Sequence, residues 1–277
     1  MYKYAGFIHA RCFEIFEKNR LNLHQNSVIV LIGAIGANIK NRRYQKFMTK
    51  VLHGVTCNFA DNAVNSNSHI LIAGATGAGK STVIDAIIHS ALFMEKTPAL
   101  MLIDPKRIDL NKYRKMRNVI AYVDDEKGAL SLLNDAVDII ENRYKKMQKA
   151  SITDCHERTI FIVIDELADL VLMYKNIFTP LQRILQKGRQ CKVFVICATQ
   201  ICNVQVLPTL LRGNITFTIC LHCENANISR LLIGTKGAEM LPLHGRAIIK
   251  TPAGLNTVNI PMLPKTGIYK TIEFWNK

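Results

Sequence analysis

The stretch Gly74-Ala-Thr-Gly-Ala-Gly-Lys-Ser81 sits between a short apolar run, His69 to Ala73, and a second apolar run, Thr82 to Ile88, with the spacing of a helix. Strand, glycine-rich loop and helix in that order make a phosphate-binding loop, and few folds can be built around one. Glycines at 74, 77 and 79 let the backbone turn its N–H groups toward phosphate oxygens, and the helix beginning near Lys80 adds the positive end of its dipole. Lys80 is placed to reach the β- and γ-phosphates and the Ser81 hydroxyl to ligate Mg²⁺, with Ala75, Thr76, Ala78 and Thr82 completing the cradle. The motif therefore predicts a site for a nucleoside triphosphate with Mg²⁺.

A chain of 277 residues has room for one large α/β domain and a small appendage. Lys and Arg outnumber Asp and Glu by 36 to 21, a formal charge of +15, which favours polyanionic partners such as nucleic acid or an anionic lipid surface. Eight irregularly spaced cysteines without a signal-peptide pattern suit free thiols in a reducing cytoplasm. The apolar run Val28 to Ala37 falls short of the about 20 residues that span a bilayer. It reads as a buried strand or helix, with a membrane-surface contact as the alternative.

Residues 1–66 carry nine Lys or Arg against three Asp or Glu and show no strand and helix alternation, so they are expected to form a small basic N-terminal appendage. The polar stretch Asp61 to Ser68 reads as a linker. From His69 onward short apolar strands alternate with helical patterns, the signature of an α/β fold with a mostly parallel central sheet flanked by helices. Strands are predicted at 69–73, 99–103, 119–123, 159–164, 192–197 and 214–221, with 247–250 and 258–260 as a late antiparallel addition. The clearest helix runs from Glu126 to Lys149, after Asp124 and Asp125. Its basic last turns read as a solvated face, and residues 263–277 as a C-terminal tail.

The apolar strand Thr159 to Ile164 delivers Asp165 and Glu166 at its C-terminal end, the edge where open α/β sheets bind ligands. Asp165 suits the Mg²⁺ site, and Glu166 is placed to orient and deprotonate an attacking water. A further strand ends in Thr199-Gln200, where an amide can sense the γ-phosphate and relay its presence to the next loop; for Thr199 a local cap is the alternative. Cys220-Leu-His-Cys223 has no second pair at zinc-site spacing and reads as structural. The cluster Lys106, Arg107, Lys112, Arg114, Lys115 and Arg117 reads as a solvated face rather than a DNA patch.

Together with the phosphate loop, the segments Ile103-Asp-Pro-Lys106, Glu141-Asn-Arg-Tyr144, Asp165-Glu-Leu-Ala-Asp169, Leu181 to Cys191, Ala198-Thr-Gln200, Leu210 to Asn214 and Ser229-Arg-Leu-Leu232 resemble the motor domain of FtsK/SpoIIIE DNA translocases, in the FtsK–HerA superfamily. The resemblance covers about residues 67–255, and 67–262 is taken as the motor domain. It implies a RecA-like P-loop NTPase core using ATP and Mg²⁺, a hexameric homo-oligomeric ring around double-stranded DNA without sequence preference, and hydrolysis sites shared between subunits. It also implies arginine donors from the adjoining subunit, with Arg189 the first choice and Arg230 the second, both acting on the transferring phosphoryl group. Arg212, beside the loop after Gln200, is the residue expected to meet DNA.

Three departures stand out. Ile201-Cys202 replaces the Arg-Pro that follows the sensor Gln in the family, and Gly245-Arg246 replaces Gly-Asp. The chain stops at Lys277, which leaves no space for a winged-helix module, and no multi-span membrane region is evident. The expectation is thus a short cytoplasmic motor of a plasmid, phage or conjugative element, with a membrane or secretion-channel partner reached through residues 1–66. Alternatives are a conjugative coupling ATPase, an ATP-switched DNA-binding regulator that does not translocate, and a basic ATPase at a membrane surface.

Overall fold

The computed structural model describes residues 58–92 and 97–276. The apolar run 28–37 and most of the basic appendage lie outside the described residues. Helix α1 (Asn58–Asn65) is followed by β1 (Ile70–Ala73), the phosphate loop and α2 (Lys80–Leu92). Then come β2 (Ala99–Ile103), β3 (Val119–Val123), α3 (Glu126–Lys149), β4 (Ile160–Ile164), α4 (Leu167–Met173), α5 (Phe178–Lys187) and β5 (Val193–Thr199). The chain continues through α6 (Thr209–Asn214), β6 (Phe217–Cys220), α7 (Ala226–Ile233), the hairpin β7 (Arg246–Thr251) and β8 (Gly254–Asn259), and α8 (Lys265–Asn276).

One sheet joins the described strands in the order β3-β2-β4-β5-β1-β6-β7-β8. Pairings from β3 through β6 are parallel, and β7 and β8 add antiparallel at one edge, as expected from the sequence. β1, β2, β4 and β5 are buried along their whole length, because helices cover both faces of a parallel sheet. Each such Ile, Leu or Val side chain contributes about 1.5–3 kcal/mol relative to exposure.

Helix α3 has the predicted ends. Asp125 caps it by accepting from the Gly128 N–H at 2.7 Å, and Ala129, Leu132, Leu133, Ala136, Ile140 and Met147 form the buried stripe. Its basic C-terminal part is only partly a solvated face. Lys146 pairs with Glu157 in solvent, but Arg143 is buried and donates to the carbonyls of Cys191 at 2.6 Å and Arg158 at 2.7 Å.

Other elements differ from expectation. The stretch read as a linker from Asp61 is largely helix α1, which buries Phe59, Ala60, Ala63 and Val64 against α2 and joins Asp61 to Ser90. Helix α1 therefore packs with the elements that follow it. β6 starts at Phe217, not Asn214, because Pro208 opens α6 and that helix uses the chain up to Asn214, whose side chain donates to the Leu210 carbonyl at 2.8 Å. β5 runs on to Thr199, and the β7–β8 hairpin is longer than its apolar residues suggested, because backbone pairing extends through Arg246↔Asn259 and Thr251↔Gly254. Residues read as a tail form α8, whose Ile268 and Ile272 are buried.

Candidate nucleotide site

Five parallel strands deliver their C-terminal ends to one edge of the sheet. The phosphate loop follows β1, the Asp104–Asp109 segment follows β2, Asp165 and Glu166 follow β4, Thr199 and Gln200 close β5, and Leu221–Cys223 follows β6. Gly74 is required by close approach, since a Cβ there would sit 2.7 Å from the Leu221 Cβ and 3.1 Å from the His222 carbonyl. The Ala75 N–H donates to that carbonyl at 2.8 Å, so the Cys220–Cys223 turn buttresses the loop. Gly77 and Gly79 take φ of 78° and 100°, which only glycine adopts readily. The first hydrogen bond of α2 runs from the Val83 N–H to the Gly79 carbonyl, so the N–H groups of Lys80, Ser81 and Thr82 emerge from the helix end without intrahelical acceptors. That cradle fits an anion.

Lys80 donates to the carbonyls of Gly74 and Ala75 at 3.0 Å each. Burial lowers its pKa, while the charges of Glu166 and Asp165 oppose the shift. The Ser81 hydroxyl donates to Asp109 at 2.6 Å rather than to Asp165. Asp165 is pushed up to about 7, first by burial and then by Asp109 and Asp104. A divalent cation would relieve this crowding, and Ser81 with Asp165 are the residues that would hold Mg²⁺.

Glu166 is 2% exposed and caps α4 by accepting from the Ala168 N–H at 3.3 Å. It also accepts from the Gln200 N–H at 3.2 Å, and the Gln200 side-chain oxygen accepts from Thr76 of the phosphate loop at 2.9 Å. Gln200 thus connects the phosphate loop to the carboxylate. Thr199 donates its hydroxyl to the Ile201 carbonyl at 3.1 Å, a local contact that differs from a cap, which would accept from a backbone N–H.

The arginines separate. Arg189 is exposed at the opposite, N-terminal edge of the sheet, where it donates to the Asn67 carbonyl at 3.1 Å. There its charge adds to burial in lowering His69 to about 3. Arg230 is exposed on α7, just beyond the nucleotide edge, and donates to the Asn227 side chain at 3.2 Å. Arg212 is half-buried and donates to the Leu207 carbonyl at 2.9 Å, the Leu231 carbonyl at 3.3 Å and the Thr209 hydroxyl at 3.4 Å, so it braces α6 against α7.

Lys106 and Asp109 were not among the site residues expected from sequence. Lys106, read there as part of a solvated face, lies 3.6 Å from Glu166 and 3.7 Å from Asp169. The available signal was positional: a polar segment directly after a fully buried parallel strand must lie at the ligand edge.

These features define a P-loop ATPase fold of the RecA-like kind. The model of the FtsK/SpoIIIE family matches residues 41–158 of this chain. It is similar to DNA translocase FtsK of Staphylococcus aureus, at 34% identity over 201 residues, covering 64% of this chain and 26% of that protein. Similarity to DNA translocase SftA of Bacillus subtilis is 33% over 191 residues, or 62% of this chain and 20% of that protein. The chain therefore spans about a quarter or less of the length of these relatives. Among solved structures, the pCW3 conjugation coupling protein TcpA, with ATPγS, superposes with a TM-score of 0.68 at 20% identity over 76% of this chain and 66% of that one. ATPases 2 and 3 of EssC from Geobacillus thermodenitrificans give 0.65 at 18% identity over 76% and 43%. Among the described residues no helix is long and apolar enough to cross a membrane.

Proposed function

We propose that the chain is an ATP-driven motor that moves double-stranded DNA without sequence preference, acting in the cytoplasm as a ring of identical subunits on behalf of a plasmid, phage or conjugative element. The observation that carries the reading is the Thr76–Gln200–Glu166 connection, which ties the phosphate loop to a carboxylate and to the loop after β5. Relatives named DNA translocases and a formal charge of +15 support DNA as the partner.

Lys80, Ser81 and Asp165 would hold Mg²⁺-ATP, which supplies the transferable phosphoryl group. Glu166 takes the proton of the attacking water, a role for which its buried position excludes competing solvent. Gln200 reports the state of the site to residues 201–211, whose exposed Ile201, Val204 and Leu210 are free to meet another molecule. Arg230 is the stronger candidate for the arginine supplied to a neighbour, because its guanidinium makes one exposed side-chain bond whereas Arg189 is tied to the Asn67 backbone. In mixed rings, Arg230→Ala subunits should regain turnover beside Glu166→Gln subunits that keep Arg230; no regain would remove Arg230 from the role.

The direct test of translocation is displacement of a triplex-forming oligonucleotide from duplex DNA. The motor reading predicts ATP-dependent displacement. Hydrolysis without displacement would leave an ATP-switched DNA-binding protein instead.

A further inference from the structure

Glu166 has to offer a lone pair to water, yet among the described residues its carboxylate faces three donors. Two are backbone N–H groups, of Ala168 at 3.3 Å and of Gln200 at 3.2 Å, held by the start of α4 and the end of β5. The third is the Lys106 ammonium, 3.6 Å from Oε2. Only this last donor sits on a long side chain, 38% exposed, and a second anion lies within its reach, Asp169 at 3.7 Å.

The segment bearing Lys106 is rigid where the side chain is not. Asp104 is fully buried, and its carboxylate accepts from the N–H groups of Ile108 at 3.3 Å and of Leu110 and Asn111 at 3.1 Å, and from the Tyr122 hydroxyl at 3.3 Å. Arg107 is held at φ 60° and pairs with Asp124 at 3.1 Å. A side-chain-bearing residue kept at positive φ marks a backbone conformation imposed by its surroundings. β2 pairs with β4 in the register Ile103↔Ile164, so Lys106 and Glu166 leave adjacent strands at the same edge as Lys80. The charge of Lys106 acts on both Lys80 and Asp165, which locates it beside the phosphate cradle and not on a remote face.

We propose that Lys106 senses the terminal phosphate of a bound nucleoside triphosphate: it pairs with Glu166 until that phosphate, carrying more negative charge than a carboxylate, draws the ammonium away and frees Glu166 for water. The inference rests on the ATPase reading and assigns its gating to the chain's own lysine. A nucleoside diphosphate lacks the group that attracts Lys106, so the lysine discriminates between the two nucleotides, while Lys80 and the loop N–H groups bind both. Because hydrolysis removes the attracting phosphate, Lys106 returns to Glu166 after each turnover.

The test is equilibrium titration of the full chain, in Mg²⁺, with fluorescent ATPγS and fluorescent ADP, for the wild type, Lys106→Ala and Lys106→Arg. Loss of one charge-assisted contact should weaken ATPγS binding by Lys106→Ala about tenfold. ADP binding should stay within about twofold of wild type, and Lys106→Arg should recover most of the ATPγS affinity. An unchanged ratio of the two affinities in Lys106→Ala would overturn the proposal, as would equal weakening of both ligands, which a merely structural lysine would produce. If the wild type bound neither nucleotide, the ATPase reading itself would fall.

Discussion

Helix α2 meets the segment after β2 through two polar clusters of opposite character. At its N-terminus Ser81 donates to Asp109 at 2.6 Å, in a neighbourhood crowded with the carboxylates of Asp104, Asp165 and Glu166. Further along the same helix, Asp85 accepts from Lys112 at 2.8 Å and from the Tyr113 hydroxyl at 2.7 Å, with His89 edge-on to the Tyr113 ring. The second cluster has its counter-charge within the chain, so it is closed and serves packing. The first has an excess of acids and movable partners, the arrangement expected where Mg²⁺ and phosphate supply the balance. One segment, 104–113, is thus anchored to α2 at one end and sensitive to the nucleotide site at the other.

The largest effect should come from the open cluster. Glu166→Gln keeps an oxygen to accept from Ala168 and Gln200 but cannot take a proton, so turnover should fall by about 10²- to 10⁴-fold with nucleotide affinity retained. A fall of less than about tenfold, measured by phosphate release, would place the base elsewhere.

Breaking the closed cluster should cost stability and spare the chemistry. Asp85→Ala leaves the Lys112 ammonium and Tyr113 hydroxyl without their partner and should lower unfolding free energy by about 3 kcal/mol in denaturant titration. An equally large loss of nucleotide affinity in the folded protein would erase the distinction between the clusters.

His89 sharpens the comparison with a smaller, pH-dependent effect. It is 2% exposed, both ring nitrogens lack a hydrogen-bond partner among the described residues, and burial followed by the charge of Lys112 lowers it to about 4. An unfolded histidine titrates at about 6.5, so below that pH the unfolded chain gains a proton that the folded chain refuses until about 4. Stability present above pH 6.5 is therefore lost as pH falls toward 4. His89→Phe should reduce the loss between pH 7 and 4 by about 2–3 kcal/mol. Parallel stability curves for variant and wild type would show that His89 titrates normally.

Much of this was legible in the residues, for reasons that differ by element. α3 declared both ends because Asp125 caps a long apolar stripe, and β2 and β3 did so because short apolar runs are bounded by polar residues. The placement of the phosphate loop and Asp165-Glu166 at the sheet edge was readable because each directly follows a short apolar strand. What stayed hidden depended on tertiary placement. Nothing in the sequence says that β2 lies beside β4, and that pairing alone brings Lys106 to Glu166. Arg143 was expected on a solvated face and Arg212 at DNA, but Arg143 donates to the carbonyls of Cys191 and Arg158, and Arg212 to those of Leu207 and Leu231. Helix α6 was missed because Pro208 opens it with only six residues, too few for a periodic signal.

The central claim is that ATP hydrolysis at this sheet edge serves movement along DNA. Steady-state phosphate release by the purified chain in Mg²⁺-ATP, with and without duplex DNA, tests it most directly. The account predicts turnover that rises severalfold on addition of duplex DNA of any sequence and declines as salt is raised; turnover indifferent to duplex DNA in an assembled oligomer would contradict it.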